Sequence, residues 1–295
     1  DDIIVVIDSG RVKEKTYDPY TKLCYLKSSY ISKSSARQRK GRAGRTRAGV
    51  CFHLFSRRRH QSFNEFQDSE LLRMPLEELV LQTKALHLAP GKEDEYNSAR
   101  SFLLKALDPP ADIAIWHAIQ LLKSIGMLTD EEDVTGLGRS AAKLPVEPRL
   151  ARTILLGCLL GCGPSIVTVA CGIGYRSPFT MPTGDAERMR MNKVRASLAQ
   201  GNPSDQIALL KAIEGFSSAM KTSGYGKAAR YCDDKCLSMS TLSFLNDFVK
   251  QINQCLKDEN VDVSNKRSAQ NNGNLRLIQS IVAMGMYPDV GVRKN

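Results

Sequence analysis

Arg39, Arg42 and Arg45 recur at intervals of three inside residues 34–47. On a helix each such step turns the side chain by 300°, so the spacing predicts three guanidiniums within roughly a 120° arc of one face. Ser34 or Ser35 offers a hydroxyl to cap that helix. Gly41 and Gly44 remove side chains where another backbone or a ligand can come close. Permanently charged, fork-shaped donors on one face suit a polyphosphate better than a single carboxylate. A basic run alone is more often a solvated surface, and a plain nucleic-acid-binding helix is the competing reading. The two glycines and Gln38 turn this run into Q-R-x-G-R-x-G-R, a far more restrictive pattern, and the expected chemistry is a phosphate clamp.

Gln38-Arg39-Lys40-Gly41-Arg42-Ala43-Gly44-Arg45 resembles motif VI of superfamily 2 helicases, and Ala43 in that setting is similar to the DEAH/RNA helicase A type. The resemblance implies that the motif lies on the second RecA-like domain and faces ATP bound on the first. It implies ATP-binding roles for Gln38 at the phosphate region and for Gly41 beside it, and makes Arg42 and Arg45 the catalytic arginine fingers, with Arg39 more structural. Phosphoryl transfer is accelerated mainly by positive charge on the transferring group, and an arginine finger contributes about 10³–10⁵ in rate. ATP and Mg²⁺ are the implied cofactors, held mainly by the first RecA-like domain.

Several elements must position these arginines. Ile3-Ile-Val-Val-Ile7 predicts a strand buried on both faces, as in a parallel sheet covered by helices. Asp8-Ser9-Gly10 follows at its C-terminal end, where open α/β sheets place ligands. The resemblance makes Asp8 a nucleotide or ribose contact; a turn-capping Asp is the alternative. Residues 13–32 alternate polar and β-forming types around Asp18-Pro19-Tyr20, predicting a hairpin with arms at Thr16-Tyr17 and residues 23–26. The resembling helicases project a hairpin toward RNA here, which would make Lys13, Lys15, Lys22 and Lys27 RNA contacts; an edge hairpin blunted by lysines is the plainer reading. Gly49-Val-Cys-Phe-His-Leu-Phe55 alternates as a strand. Arg57-Arg58-Arg59-His60 either tracks phosphates or is a solvated run.

The remainder is predicted mostly helical. Asp68-Ser69 can cap a helix near Glu70, interrupted by Pro75, and helices are expected over 101–107 and 113–125, the latter stopped by Gly126. Residues 127–138 suggest two short strands around an acidic turn. Helices followed by a small β-hairpin fit a winged helix, and Phe102-Leu-Leu-Lys-Ala-Leu-Asp-Pro-Pro110 is similar to the family's. Helices are expected over 149–160, 165–172, 186–200, 204–216, 238–256 and 274–285, with 177–182 extended and 257–273 an exposed loop. Gly157, Gly161 and Gly163 predict close helix packing. Gly224-Tyr-Gly-Lys-Ala228 fails as a phosphate loop on spacing and on its last residue. The bundle resembles the family's ratchet-like domain. Arg188 and Arg190 are its RNA-binding candidates, and Gln206 stands where the family pattern often has His. Met286-Tyr-Pro-Asp-Val-Gly291 is similar to the family's entry into an OB-fold.

At 295 residues and 42% apolar content the chain is long enough for more than one core, and its formal charge is +11. Ten basic and no acidic residues between Lys33 and Arg59 supply nearly all of that excess, which argues for a polyanionic partner. No apolar run reaches membrane-spanning length. The opening residues have no basic leader or cleavage site, and a chain that opens inside a strand looks cut from something larger. Eight cysteines and four scattered histidines show no zinc spacing; reduced thiols fit an intracellular compartment, whether nucleus, cytoplasm or an organelle.

The expected fold is multi-domain, α/β plus mostly α. Residues 1–69 are the C-terminal part of a second RecA-like domain, 70–145 a winged helix, 146–262 a helical ratchet-like bundle, and 263–295 a linker with the start of an OB-fold. By resemblance the function is the C-terminal portion of an ATP-dependent RNA helicase acting on single-stranded or structured RNA. A G-patch-type or ribonucleoprotein partner accompanies some members, and no membrane partner is expected. Without a P-loop or DEAH box, the chain alone is expected to be inactive as an ATPase. The alternative is a helicase-like RNA-binding scaffold whose ATPase is dispensable.

Overall fold

The structure, a computed structural model, describes residues 2–92, 95–180, 183–263, 265–288 and 291. It separates into two compact units, residues 1–121 and 122–295.

In the first unit, β1 (Val5–Asp8) pairs in parallel with β4 (Val50–His53), Val5 opposite Val50 and Asp8 opposite His53. Between them come an antiparallel hairpin, β2 (Arg11–Asp18) and β3 (Leu23–Tyr30), and helix α1 (Lys33–Lys40). The hairpin is longer than its sequence pattern suggests. Asp18 closes it: one carboxylate oxygen accepts from the Tyr20 amide at 3.0 Å, the other from the Thr21 hydroxyl at 2.8 Å. These bonds, the hydroxyl's first, hold the Asp18 carboxyl below its ordinary pKa.

The expectation that β1 is buried on both faces is corrected. Side chains alternate along a strand, so Val6 and Asp8 share the face where α1 packs, and Val5 and Ile7 point away. Val5, Ile7, Val50 and Phe52 are 53, 68, 53 and 56% exposed, because among the described residues no element covers that face. Helix α2 (Arg57–Gln61) is capped by Ser56, and Phe63 behind it joins Ile31 and Ala36 in a small core. A 3₁₀ turn (Glu70–Leu72) and α3 (Glu77–Ala85) replace a single helix from Glu70, with Pro75 between them. α4 (Ala99–Leu103) starts at its Ser98 cap, and α5 (Asp112–Ser124) crosses from the first unit into the second.

In the second unit the expected pair of strands at 127–138 contracts to one antiparallel bridge, Leu128 to Val134. The Thr135 hydroxyl accepts the Gly138 amide at 3.0 Å and starts a helix, α6 (Gly136–Ala142), where a strand was predicted. α7 (Pro148–Leu159), α8 (Gly163–Gly174), α9 (Asp185–Leu198), α10 (Asp205–Asp234), α11 (Met239–Asp258), α12 (Lys266–Ala269) and α13 (Leu275–Met286) follow. One core gathers Cys162, Ile166 and Val169 with Ile207, Leu210, Ile278 and Ile281; another gathers Ile213 and Phe216 with Cys232, Leu242 and Leu245. The predicted exposed loop 257–273 is instead tied down. Asn265 caps α12, and the Ser165 amide donates to Asn272 Oδ1 at 2.8 Å. Helix 204–216 runs on to Asp234 through a break at Ser223 and Gly224. Met181 and Pro182 of the extended stretch, and Asp289 and Val290 of the predicted OB-fold entry, lie outside the described residues.

The α7–α8 contact depends on Gly157, where a Cβ would lie 2.5 Å from Ile166 Cβ. Gly157→Ala should lower stability by about 1–3 kcal/mol through overpacking, partly offset by better helix propensity. An unchanged urea midpoint would show that the helices separate freely. Burial pushes the thiols of Cys158 and Cys171 up to about 11 and about 12. All eight cysteines are free, and no helix among the described residues is long and apolar enough to cross a membrane.

Candidate functional site

Helix α1 is anchored along its N-terminal half. Its cap is Ser32, two or three residues before the expected Ser34 or Ser35: the Ser32 hydroxyl accepts the Ser35 amide at 3.1 Å. The amides of Lys33 and Ser34, orphaned at the helix start, donate to the carbonyls of Asn64 and Glu65 at 2.9 and 3.1 Å. Arg37 reaches Glu65 Oε1 at 2.6 Å, and Ala36 is buried against Ile31 and Phe63.

The prediction of three arginines on one helical face is corrected. The helix stops at Gly41, whose amide closes the last turn on Arg37 O at 2.9 Å. Arg42 and Ala43 continue as tight turns on Arg39 O and Lys40 O, at 3.1 and 3.2 Å. At Gly44 φ is +104°, which L side chains rarely adopt, so the chain turns there and cannot stay helical. The three guanidiniums therefore divide by role of place. Arg39 turns inward: Nη1 donates to Asp8 Oδ1 at 2.9 Å and to Arg11 O at 3.2 Å. Arg42 is exposed on the turn, with no acidic partner among the described residues. Arg45 is exposed beyond Gly44. Gln38 and Gly41 are exposed alongside.

Asp8 is not available to a nucleotide or ribose. Its side chain is 0% exposed, and Oδ1 also accepts the Gly10 amide at 2.9 Å. The carboxylate is both the turn cap and the anchor of Arg39. His53 Nδ1 lies 3.8 Å from Asp8 Oδ2, and the Cys51 thiol beside it is pushed up by burial first and then by the Asp8 charge. With Asp8 sealed and engaged by Arg39, this arginine turn is a set of donors suited to phosphate oxygens, not a ligand set for Mg²⁺.

The basic hairpin residues do not form a single stripe. Strand alternation places Lys13 and Lys15 on one face with Arg11, and Lys27 on the other opposite Glu14, while Lys22 sits in the loop at φ +58°. A cluster that sequence reasoning missed lies at the hairpin base. Arg11 Cζ is 3.8 Å and Arg59 Cζ 4.6 Å from the Tyr30 ring centre, and Arg11 Nη2 donates to the Tyr30 hydroxyl at 2.9 Å. These residues are too far apart in the chain for spacing to signal the contact. Arg59 thus has a partner within the run Arg57–Arg59 that was expected only to solvate or to track phosphates. In the second unit, Arg188 pairs with Asp185 at 3.6 Å and Arg190 Nη2 donates to Asp233 O at 3.4 Å, both from the exposed helix α9. Gln206 joins the α10 cap, its Oε1 3.0 Å from the Ser204 hydroxyl.

Comparison with known proteins converges on one group. Residues 118–146 match the winged-helix part and residues 147–209 the ratchet-like part of the helicase associated domain HA2. The chain is 38% identical over 99% of its length to the DExH-box ATP-dependent RNA helicase DExH6 of Arabidopsis thaliana, covering 22% of that protein. It is 38% identical over 98% of its length to DExH1 of the same plant, covering 28%, and 33% identical over its whole length to the human ATP-dependent DNA/RNA helicase DHX36, covering 29%. It thus spans less than a third of the length of these relatives. With two HA2 modules in sequence and identity sustained from end to end, the chain belongs to the DEAH/RNA helicase A-type helicases.

Proposed function

We propose that this chain is the portion of an ATP-dependent RNA helicase that supplies the arginine fingers and part of the RNA path. The observation that carries the reading is the arginine turn: Arg39 is locked to a sealed Asp8, and that anchor leaves Arg42 exposed and without an acidic partner among the described residues. A guanidinium kept unneutralised at the end of a pinned helix is poised for an external phosphate. In this reading residues 1–69 complete a second RecA-like domain, 70–145 form the winged helix, 146–262 the ratchet-like bundle, and 263–295 lead to an OB-fold.

ATP is held by another domain of the protein, which also supplies Mg²⁺, the ion that neutralises charge on the phosphates. Arg42 and Arg45 approach the γ-phosphate, with Gln38 and Gly41 lining the phosphate region. The two RecA-like domains draw together because the γ-phosphate gains these partners; hydrolysis removes the contact and the cleft opens. Lys13, Lys15, Lys22 and Lys27 of the hairpin and Arg188 and Arg190 of α9 hold single-stranded or structured RNA between strokes, mostly through its backbone. A G-patch-type or ribonucleoprotein partner and an intracellular setting belong to the same reading, the latter supported by eight free thiols.

The chain itself should bind single-stranded RNA, with log K falling by about 0.7 per phosphate contact for each tenfold rise in salt, and should not hydrolyse ATP. Salt-independent binding, or turnover by this chain alone, would overturn the assignment.

A further inference from the structure

Helix α10 is two helices joined at a break. Ser223 has φ −147° and ψ 15°, and Gly224 has φ 68° and ψ −159°, a combination reserved for glycine. The second segment folds back on the first: the Tyr231 hydroxyl donates to Lys211 O at 3.3 Å, and Gly215 leaves room for the Tyr231 ring. Beside the turn lies a cavity of about 330 Å³ lined by Ser218, Thr222, Lys227, Arg230, Tyr231 and Asp234. Lys227 and Arg230 are three apart and so share one side of the second segment. Both are exposed, and neither has an ion-pair partner among the described residues. Tyr225, between Gly224 and Gly226 at the turn, is 70% exposed.

Two unneutralised cations and the Ser218 hydroxyl line a cavity large enough for a phosphate, and the Asp234 carboxylate, which also lines it, offsets part of their charge, so the site suits a singly charged phosphodiester better than a multiply charged anion. An exposed tyrosine flanked by glycines offers a π-face that a free phosphate would not use. We propose that the cavity takes a backbone phosphate of single-stranded RNA, with an adjacent base stacked on Tyr225. This rests on the reading that the chain contacts RNA, and it adds a base-stacking contact to a grip otherwise made through the backbone.

The test is fluorescence anisotropy of this chain on a uridine oligonucleotide across a salt titration, with thermal melting of each variant. Lys227→Gln/Arg230→Gln should lower affinity about threefold to thirtyfold and flatten the salt slope by roughly 0.7, the value of one single-strand phosphate contact. Tyr225→Ala should lower affinity about fivefold or more without changing the slope, and Tyr225→Phe should retain it. Lys250→Gln/Lys257→Gln, exposed cations on α11, should have little effect; an equal loss there would reduce the pocket to general charge and overturn the proposal. Wild-type binding that the pocket variants leave unchanged would overturn the proposal and spare the RNA reading. No RNA binding by the wild type would overturn both. Inorganic phosphate bound by the wild type and not by the double variant, with RNA affinity equal in the two, would assign the cavity to a free phosphate and overturn the RNA assignment.

Discussion

Arg42→Ala in the complete protein should lower RNA-stimulated ATP hydrolysis by about 10³–10⁵, the range an arginine finger contributes, and should leave the fold intact. Loss of function with retention of fold is the outcome expected from where Arg42 lies. Arg42 is exposed on a turn whose shape is set by backbone bonds to Arg39 O and Lys40 O and by the glycines around it. Nothing among the described residues depends on its guanidinium for charge balance. Arg42→Lys should recover little, because an ammonium cannot reproduce the planar fork. Steady-state phosphate release with saturating RNA, beside a urea melt, separates the two effects. Wild-type turnover by Arg42→Ala would remove Arg42 from the chemistry.

The second large effect concerns the anchor, and its sign is asymmetric. Asp8 is sealed and Arg39 is only partly covered, its side chain 36% exposed. Arg39→Ala would strand the buried Asp8 carboxylate without its partner, and removing one member of a buried pair costs about 3–5 kcal/mol. Asp8→Asn keeps an oxygen for the Gly10 amide and leaves a guanidinium that water can still reach, so the cost should be about 1–2 kcal/mol. The double variant should be more stable than the sum of the two losses predicts, as expected of groups in direct contact. Urea denaturation of the four proteins measures all three quantities. An Asp8→Asn loss equal to or larger than that of Arg39→Ala would mean that the buried charge is compensated elsewhere.

Much of this site could be read from the residues because its signals are local. Gln38, Gly41, Gly44 and the arginines at intervals of three lie within one octapeptide, and β1 and the hairpin announce themselves by period and by Asp18-Pro19-Tyr20. The helical extent of the motif is not legible, because Gly41 and Gly44 read equally well as room for a backbone or a ligand, whereas Gly44 at φ +104° is where the backbone turns. The role of Asp8 stays open in the sequence, between a nucleotide contact and a turn cap, for another reason. Its partner Arg39 is 31 residues away, and whether a strand-end carboxylate faces a ligand or a side chain from its own unit is decided by packing. The same limit hid the Arg11–Tyr30–Arg59 cluster and the Asn272 bond that ties residues 257–273 to α8. The strand pair expected at 127–138 shortens to a single bridge because the Thr135 cap turns the end of that stretch into a helix. In the second unit, the helix starts at 204 and 238 are legible in the sequence; the run of α10 past Phe216 is not, since its fold-back depends on a glycine conformation that composition alone does not reveal.

The central claim is that a pinned helix end delivers Arg42 to the transferring phosphate of a nucleotide bound elsewhere in the protein. It is tested most directly by the affinity of the complete protein for ADP–fluoroaluminate, a mimic of the phosphoryl-transfer transition state, against its affinity for ADP. If the claim holds, Arg42→Ala binds ADP as the wild type does and loses at least about a hundredfold in affinity for the fluoroaluminate complex, because the interaction exists only where charge develops on the transferred group. Equal affinity of wild type and Arg42→Ala for the fluoroaluminate complex would contradict it.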